Sequence, residues 1–158
     1  MNYTLVKLAH ALAGIAATGP LLFAPWLSAR LKACTPATQT LLLSGLERTD
    51  TCYNVSGWLV MLTGFALFWL SSWHAALQGW FVLSVAIFVV ESVIEKRVRE
   101  PAGVALAKLQ PGTSGWHTQA ARLHNAVVAQ SLCTCLILLV MLLHSHLSIG
   151  WLERAIVR

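Results

Sequence analysis

The stretch AVVAQSLCTCLILLVMLL, residues 126–143, contains no charged side chain and decides the fold. A bilayer core about 30 Å thick is crossed by about 20 residues of α-helix. Only 11% of all residues are charged, and the mean hydropathy of the chain is +0.68. Three further apolar runs precede this one, at residues 5–27, 55–71 and 80–93.

These four runs indicate the fold class. Backbone groups in lipid need partners within their own segment, so each run should be helical. Barrel strands would alternate polar and apolar residues, and a soluble bundle would show polar outer faces. The chain is therefore predicted to be an all-α polytopic membrane protein. We expect one domain over residues 1–158, a four-helix transmembrane bundle with helices at about 4–27, 52–72, 77–96 and 123–147.

The basic residues bracket the apolar runs. Arg30, Lys32 and Arg48 lie between the first two segments, whereas residues 73–77, between the second and third, hold no basic side chain. A second basic group separates the third and fourth segments, at Lys96, Arg97, Arg99, Lys108 and Arg122. The positive-inside rule then predicts a multi-pass protein of the bacterial inner membrane with both termini periplasmic. Because the charges form no single stripe, we expect a lipid bilayer and no nucleic acid as partner.

Proline and glycine positions predict interruptions. The first run could be a signal peptide, but it lacks a clean small-residue cleavage site, which favours a retained helix. Gly19–Pro20 and Pro25 predict a kink or break in that helix. Residues 28–51 and 97–122 hold Pro or Gly, so neither connection is expected to be one unbroken helix. A short amphipathic helix at residues 38–48 would lie on the membrane surface.

His10 is the first candidate for a functional residue. An ionisable side chain inside an apolar span usually faces the protein interior. Gly14, one turn further on, leaves a flat shelf beside the imidazole, as a haem ring requires. His144 should lie at a similar depth, because the first and fourth helices run in opposite directions. A packed, hydrogen-bonded histidine is the alternative to a cofactor-binding and metal-ligating pair of His10 and His144.

Glu91 is the second candidate, within the third span. A buried carboxylate should be paired or protonated, since its desolvation is unfavourable. Arg122 and His124 begin the fourth helix on the same side of the membrane. We therefore predict a polar intramembrane pair between Glu91 and either Arg122 or His124. Such a pair serves either to hold two helices together or to bind a proton or ligand.

The opening Leu-Val-Lys-Leu-Ala-His, followed by a small-residue face and Gly-Pro, resembles a known group of proteins. These are four-helix bacterial proteins of unknown function, described as predicted integral membrane proteins. They are similar to copper-resistance D proteins and to HemJ-type protoporphyrinogen oxidases. Arg48-x-Asp50 and Leu62-Thr63-Gly64 in the second helix add to the resemblance. It implies haem b bound at His10, although this chain has Glu91 in the region where HemJ-type proteins have a lysine.

Three functions remain open on the sequence alone. The first is a haem b-binding membrane protein in electron transfer or porphyrin-related redox chemistry. The second is a cofactor-free accessory or assembly subunit of a larger membrane complex, or a homo-oligomer. The third is copper handling by Met141, His144 and His10, since Met and His suit Cu(I). The four cysteines are expected to be packing residues, and enzymatic activity is left open.

Overall fold

The computed structural model describes residues 3–71 and 78–143, and 91% of these residues are helical. No strand occurs among them, which confirms the all-α prediction. Three helices are long and apolar enough to cross a membrane, α1, α2 and α5. The helices are α1 (Tyr3–Leu31), α2 (Pro36–Leu70), α3 (Gly79–Ile94), α4 (Glu100–Lys108) and α5 (Ser114–Leu142), with a π-helical segment (Glu95–Arg99) joining α3 to α4.

The prolines of α1 do not end the helix, contrary to the predicted break. Pro25 has no N–H to offer the carbonyl oxygen of Leu21, four residues earlier. The Ser131 hydroxyl of α5 donates to that oxygen over 2.6 Å instead. A neighbouring helix thus satisfies the acceptor that the proline leaves open, and α1 continues to Leu31.

Helix α2 begins at Pro36, well before the predicted start near residue 52. Proline is favoured at the first helical position, where its missing N–H needs no partner. The backbone N–H of Thr35 donates to the Thr38 hydroxyl over 3.1 Å, which caps the start of the helix. The separate surface helix expected at residues 38–48 is therefore part of α2, whose 35 residues run without a break.

The second basic connection is also largely helical, and it builds a packed core with the first. Thr113 caps α5 by accepting a hydrogen bond from the N–H of Trp116. Gln39 of α2 donates from Nε2 to the carbonyl oxygens of Leu106 and Leu109, at the end of α4. The buried apolar cluster of this end comprises Ala24, Leu31, Leu46, Ala102, Leu106, Trp116, Ala120, Leu123 and Val127. We call it the basic-end core.

Away from the basic-end core, the four helices α1, α2, α3 and α5 surround a common interior, and one neighbouring pair, α2 and α3, is not closely packed. Helix α1 packs against α2 and α5, and α3 packs against α5. The backbones of α2 and α3 do not pack closely along their length. They meet at one end through the rings of Phe68 and Phe81, with centroids 4.6 Å apart edge to face. A groove is left between these two helices.

The outer faces of the long helices are apolar. Trp69 and Leu142 are 76% and 77% exposed, and many other large apolar side chains of α1, α2 and α5 are exposed. Water-exposed surfaces of soluble monomers rarely carry such continuous apolar area. These faces are suited to contact with a lipid bilayer.

Candidate functional sites

His10 is half-buried between α1 and α2 and is held by a threonine. Its Nδ1 lies 2.9 Å from the hydroxyl oxygen of Thr63. That hydroxyl lies 2.6 Å from the carbonyl oxygen of Leu59, to which it donates. A threonine hydroxyl has only one proton, so toward His10 it acts as acceptor and Nδ1 carries the hydrogen. The neutral imidazole is thereby left with its lone pair on Nε2.

Of the two glycines considered beside His10, Gly64 packs against the imidazole and Gly14, one turn along α1, does not contact it. A methyl group added at Gly64 would lie 3.4 Å from Cε1 of His10, so the imidazole packs directly against the α2 backbone. A methyl group added at Gly14 would meet no atom within 4 Å. The shelf expected beside the histidine is therefore open on the α1 side, while α2 closes the other side.

The predicted second ligand, His144, lies outside the described residues. Met141 of α5, the copper candidate, is half-buried. Within residues 3–71 and 78–143, no group of three or more His, Cys, Asp or Glu side chains is placed to hold a metal ion. The described part of the predicted site therefore consists of His10 and Gly14.

Glu91 is buried, with 2% of its surface exposed, and its hydrogen bonds differ from those predicted. Its Oε1 accepts from the Tyr53 hydroxyl over 2.7 Å and from the Thr134 hydroxyl over 3.1 Å. The structure does not bring it together with Arg122, which is exposed, or with His124, whose Nδ1 lies 2.9 Å from the Ser28 hydroxyl. The reason is depth along α5, since twelve positions separate residues 122 and 134, or about 18 Å of helix.

Glu91 belongs to a stripe of charged residues that continues through the π-helical segment and consists of Glu91, Glu95 and Arg99. Glu95 accepts a hydrogen bond from Nε2 of Gln130 over 3.1 Å, and the Arg99 guanidinium is paired with the Asp50 carboxylate. Residues four apart share a helix face, so the stripe faces α2 and α5 together. π-Helical segments are rare in proteins, and those that occur are frequently found at functional sites.

Sequence reasoning missed most of the partners in this stripe. Asp50 and Tyr53 are three residues apart on α2, and the charges of the stripe are four residues apart. Polar residues that recur with similar spacing in two apolar helices could have predicted that α2 contacts the stripe. Thr134 carries no comparable signal, because a threonine in an apolar helix commonly bonds its own backbone, as it also does here with Gln130 over 3.1 Å.

The groove between α2 and α3 lies directly beside this stripe. It has a volume of about 230 Å³, and both glutamates of the stripe line it. The second carboxylate oxygen of Glu91, Oε2, is buried and has no hydrogen-bond partner among the described residues. A buried acceptor without a donor is unusual in a native structure.

Comparison with protein-family models, with curated proteins and with solved structures finds no match to the chain. The class that the fold defines is an all-helical protein with three helices able to cross a membrane and a buried polar stripe among its described residues.

Proposed function

We propose that this chain is a four-span integral membrane protein that binds haem b, with His10 as an axial ligand. The hydrogen bond from Nδ1 of His10 to Thr63 carries the proposal. In a ligating histidine, the N–H of the other ring nitrogen almost always donates a hydrogen bond to a fixed acceptor, which sets the tautomer and the ring orientation. Thr63 supplies that acceptor here, and Nε2 keeps the lone pair that iron requires.

The open space at Gly14 fits the same cofactor. A porphyrin needs a flat wall beside its axial ligand, and a side chain larger than hydrogen would narrow that space. His144 is proposed as the second ligand on the basis of its expected depth. Bound haem b would supply one-electron transfer, either between partners or in the oxidation of a porphyrin. The resemblance to HemJ-type proteins supports haem b at His10, whereas Glu91, in the region of their helix-three lysine, counts against porphyrin oxidation.

The fourth span in this proposal is α3 with its helical continuation. The chain is helical without interruption from Gly79 to Lys108, so the segment is long enough to cross a bilayer although α3 alone has 16 residues. The basic-end core joins the α1–α2 turn to the α4–α5 turn, so both basic connections are at one end. That end is proposed to face the cytoplasm of a bacterial inner membrane, with both termini periplasmic.

Absorption spectra of protein purified in mild detergent from haem-supplemented cells test the haem proposal. We expect a Soret band, and sharp bands after dithionite reduction, in the native protein. His10→Ala should lose them, and His117→Ala should retain them, because His117 is an exposed histidine far from the site. A native protein without a Soret band, or His10→Ala with an unchanged spectrum, would overturn the proposal.

Labelling of single cysteines tests the orientation. In a cysteine-free background, Gln78→Cys marks the end near Phe81 and Ala33→Cys marks the basic end; both positions are exposed. A membrane-impermeant maleimide should label Gln78→Cys in intact spheroplasts and Ala33→Cys only after lysis. The opposite result would reverse the topology, and labelling of both positions in intact spheroplasts would refute the single membrane span, α2, that the proposal places between them.

A further inference from the structure

The groove between α2 and α3 is separate from the histidine site. Glu91 contacts α2 at Tyr53, whereas His10 contacts it at Thr63. These positions are ten residues apart, or about 15 Å along the helix. The inference drawn from the groove therefore does not depend on haem.

Glu91 lacks a positive partner in the part of the chain that the structure describes. Its Oε1 has two hydroxyl donors and its Oε2 has none. Two basic side chains of the π-helical segment are engaged with other carboxylates. Arg99 pairs with Asp50, and Lys96, which also lines the groove, has its Nζ 2.9 Å from Glu100. A buried carboxylate in this situation is stable only when a proton or an external cation balances it.

The second glutamate of the groove strengthens the demand for positive charge. Glu95 lines the groove one turn beyond Glu91, and its described hydrogen-bond partner is the neutral amide of Gln130. Two carboxylates one turn apart repel each other when both are ionised. A cation between them would relieve that repulsion and balance the charge of the buried Glu91 carboxylate.

The walls of the groove indicate which kind of cation fits. The groove is also lined by Trp58, Met61 and Phe88. Aromatic faces attract organic cations, most strongly when the site excludes water. A metal ion is less well matched, because no set of three His, Cys, Asp or Glu side chains converges among the described residues. The volume of about 230 Å³ is below the roughly 300 Å³ at which pockets for drug-sized molecules begin.

We propose that this groove binds a small organic ammonium ion, with its charge on the carboxylate of Glu91 and its apolar body against Trp58 and Phe88. Trp58 is 64% exposed and Phe88 45% exposed on the outer, apolar surface of the helices. The groove is therefore open to the side that we assign to lipid, and the ammonium ion reaches it from the bilayer interface. Glu95 adds a second negative charge next to the bound cation.

Isothermal titration calorimetry of the full chain in detergent tests the site, with benzyltrimethylammonium as the probe. We expect saturable binding to the native protein, and at least tenfold weaker binding to Glu91→Gln. Gln keeps an acceptor for Tyr53 and Thr134 but removes the charge. Glu47→Gln is the matched control, since it removes an exposed carboxylate of α2 outside the groove and should leave the affinity unchanged. Equal affinity in Glu91→Gln, or no binding to the native protein, overturns the proposal.

Two further measurements keep the test decisive if Glu91→Gln does not fold. Trp58→Leu preserves apolar volume at an exposed position and removes the aromatic face, so we expect weaker binding with an unchanged circular dichroism spectrum. Neopentylbenzene, a neutral molecule of the same shape, should compete poorly with the ammonium probe. If Trp58→Leu binds as the native protein does, or if the neutral molecule competes equally, the groove is only an apolar crevice and the proposal fails.

Discussion

The indole N–H of Trp116 donates a hydrogen bond of 3.0 Å to the carbonyl oxygen of Leu31, and the Trp116 side chain is completely buried. Leu31 is the last residue of α1, where carbonyl groups have no partner within the helix. Trp116 lies in the first turn of α5. One side chain thus caps one helix and fixes the start of another, which joins the two basic connections into a single core.

Trp116→Ala should therefore be among the most destabilising substitutions in the chain. Truncating a buried tryptophan removes about 3–5 kcal/mol of stability in soluble domains, and here it also leaves the Leu31 carbonyl with only the long, 3.5 Å hydrogen bond from the Cys34 N–H. Trp116→Phe should lose less, about 1–3 kcal/mol, chiefly from the lost indole hydrogen bond. Thermal unfolding in detergent, followed by circular dichroism, measures both. Trp69→Phe, at a 76% exposed position, should unfold as the native protein does; a comparable loss there would contradict the argument from burial.

Ser131→Ala should be destabilising because of Pro25. Removing the hydroxyl leaves the Leu21 carbonyl with neither a backbone nor a side-chain donor, at about 1–3 kcal/mol. In a Pro25→Ala background the backbone N–H is restored, and Ser131→Ala should become nearly neutral. A double-mutant cycle on thermal stability measures this coupling. Additive effects of the two substitutions would mean that Ser131 does not serve the proline gap.

In this chain the sequence predicts which segments are helical more reliably than it predicts where each helix begins and ends. Apolar runs identify the spans, because their hydropathy depends on local composition alone. The length of α2 depends on Pro36, because a proline disrupts a helix at an interior position but is favoured at the first helical position. The continuity of α1 depends on Ser131, more than a hundred residues away. The partners of Glu91 depend on relative helix depth, which no local pattern specifies, whereas the position of His10 in an interior face follows from its ionisable side chain in an apolar run.

Asp50→Asn should destabilise the chain strongly, because it leaves the Arg99 guanidinium, 4% exposed, without a carboxylate. Breaking a fully buried ion pair from one side typically removes about 3–5 kcal/mol, and the loss here should be smaller, because the Asp50 side chain is 34% exposed. Exchanging the two charges, with Asp50→Arg and Arg99→Asp together, should recover part of the loss. Glu100→Gln breaks the exposed pair with Lys96 and should produce no measurable change in unfolding temperature. If both carboxylate substitutions have the same effect, burial is not what makes the Asp50 pair important.

Cys34 lies between α1 and α2, and burial raises the pKa of its thiol. The thiolate is the reactive form, so a raised pKa means less thiolate at neutral pH and slower alkylation. In a variant that retains Cys34 alone, iodoacetamide should react more slowly than in the same protein unfolded in dodecyl sulfate. The rate in the folded protein should go on rising with pH after the unfolded sample has levelled off. Coincident pH profiles would show that the turn does not shield this thiol.

Gly14→Ala separates the effect on the helix from the effect on the proposed cofactor. The new methyl group would meet no atom within 4 Å, and alanine is better than glycine inside a helix by about 1 kcal/mol. Cofactor-free protein should therefore keep or increase its stability. Gly103→Ala, in α4, also meets open space and serves as the control for helix propensity.

The same methyl group would project one helical turn from His10, on the face of α1 where the porphyrin is proposed to lie. Haem titration followed at the Soret band should therefore show weaker binding in Gly14→Ala and unchanged binding in Gly103→Ala. A stabilised protein with a weakened cofactor site is a combination that simple helix packing does not produce. If Gly14→Ala binds haem as tightly as the native protein, the porphyrin does not lie on this face of α1, and because α2 closes the other side of His10, the proposed ligand geometry fails.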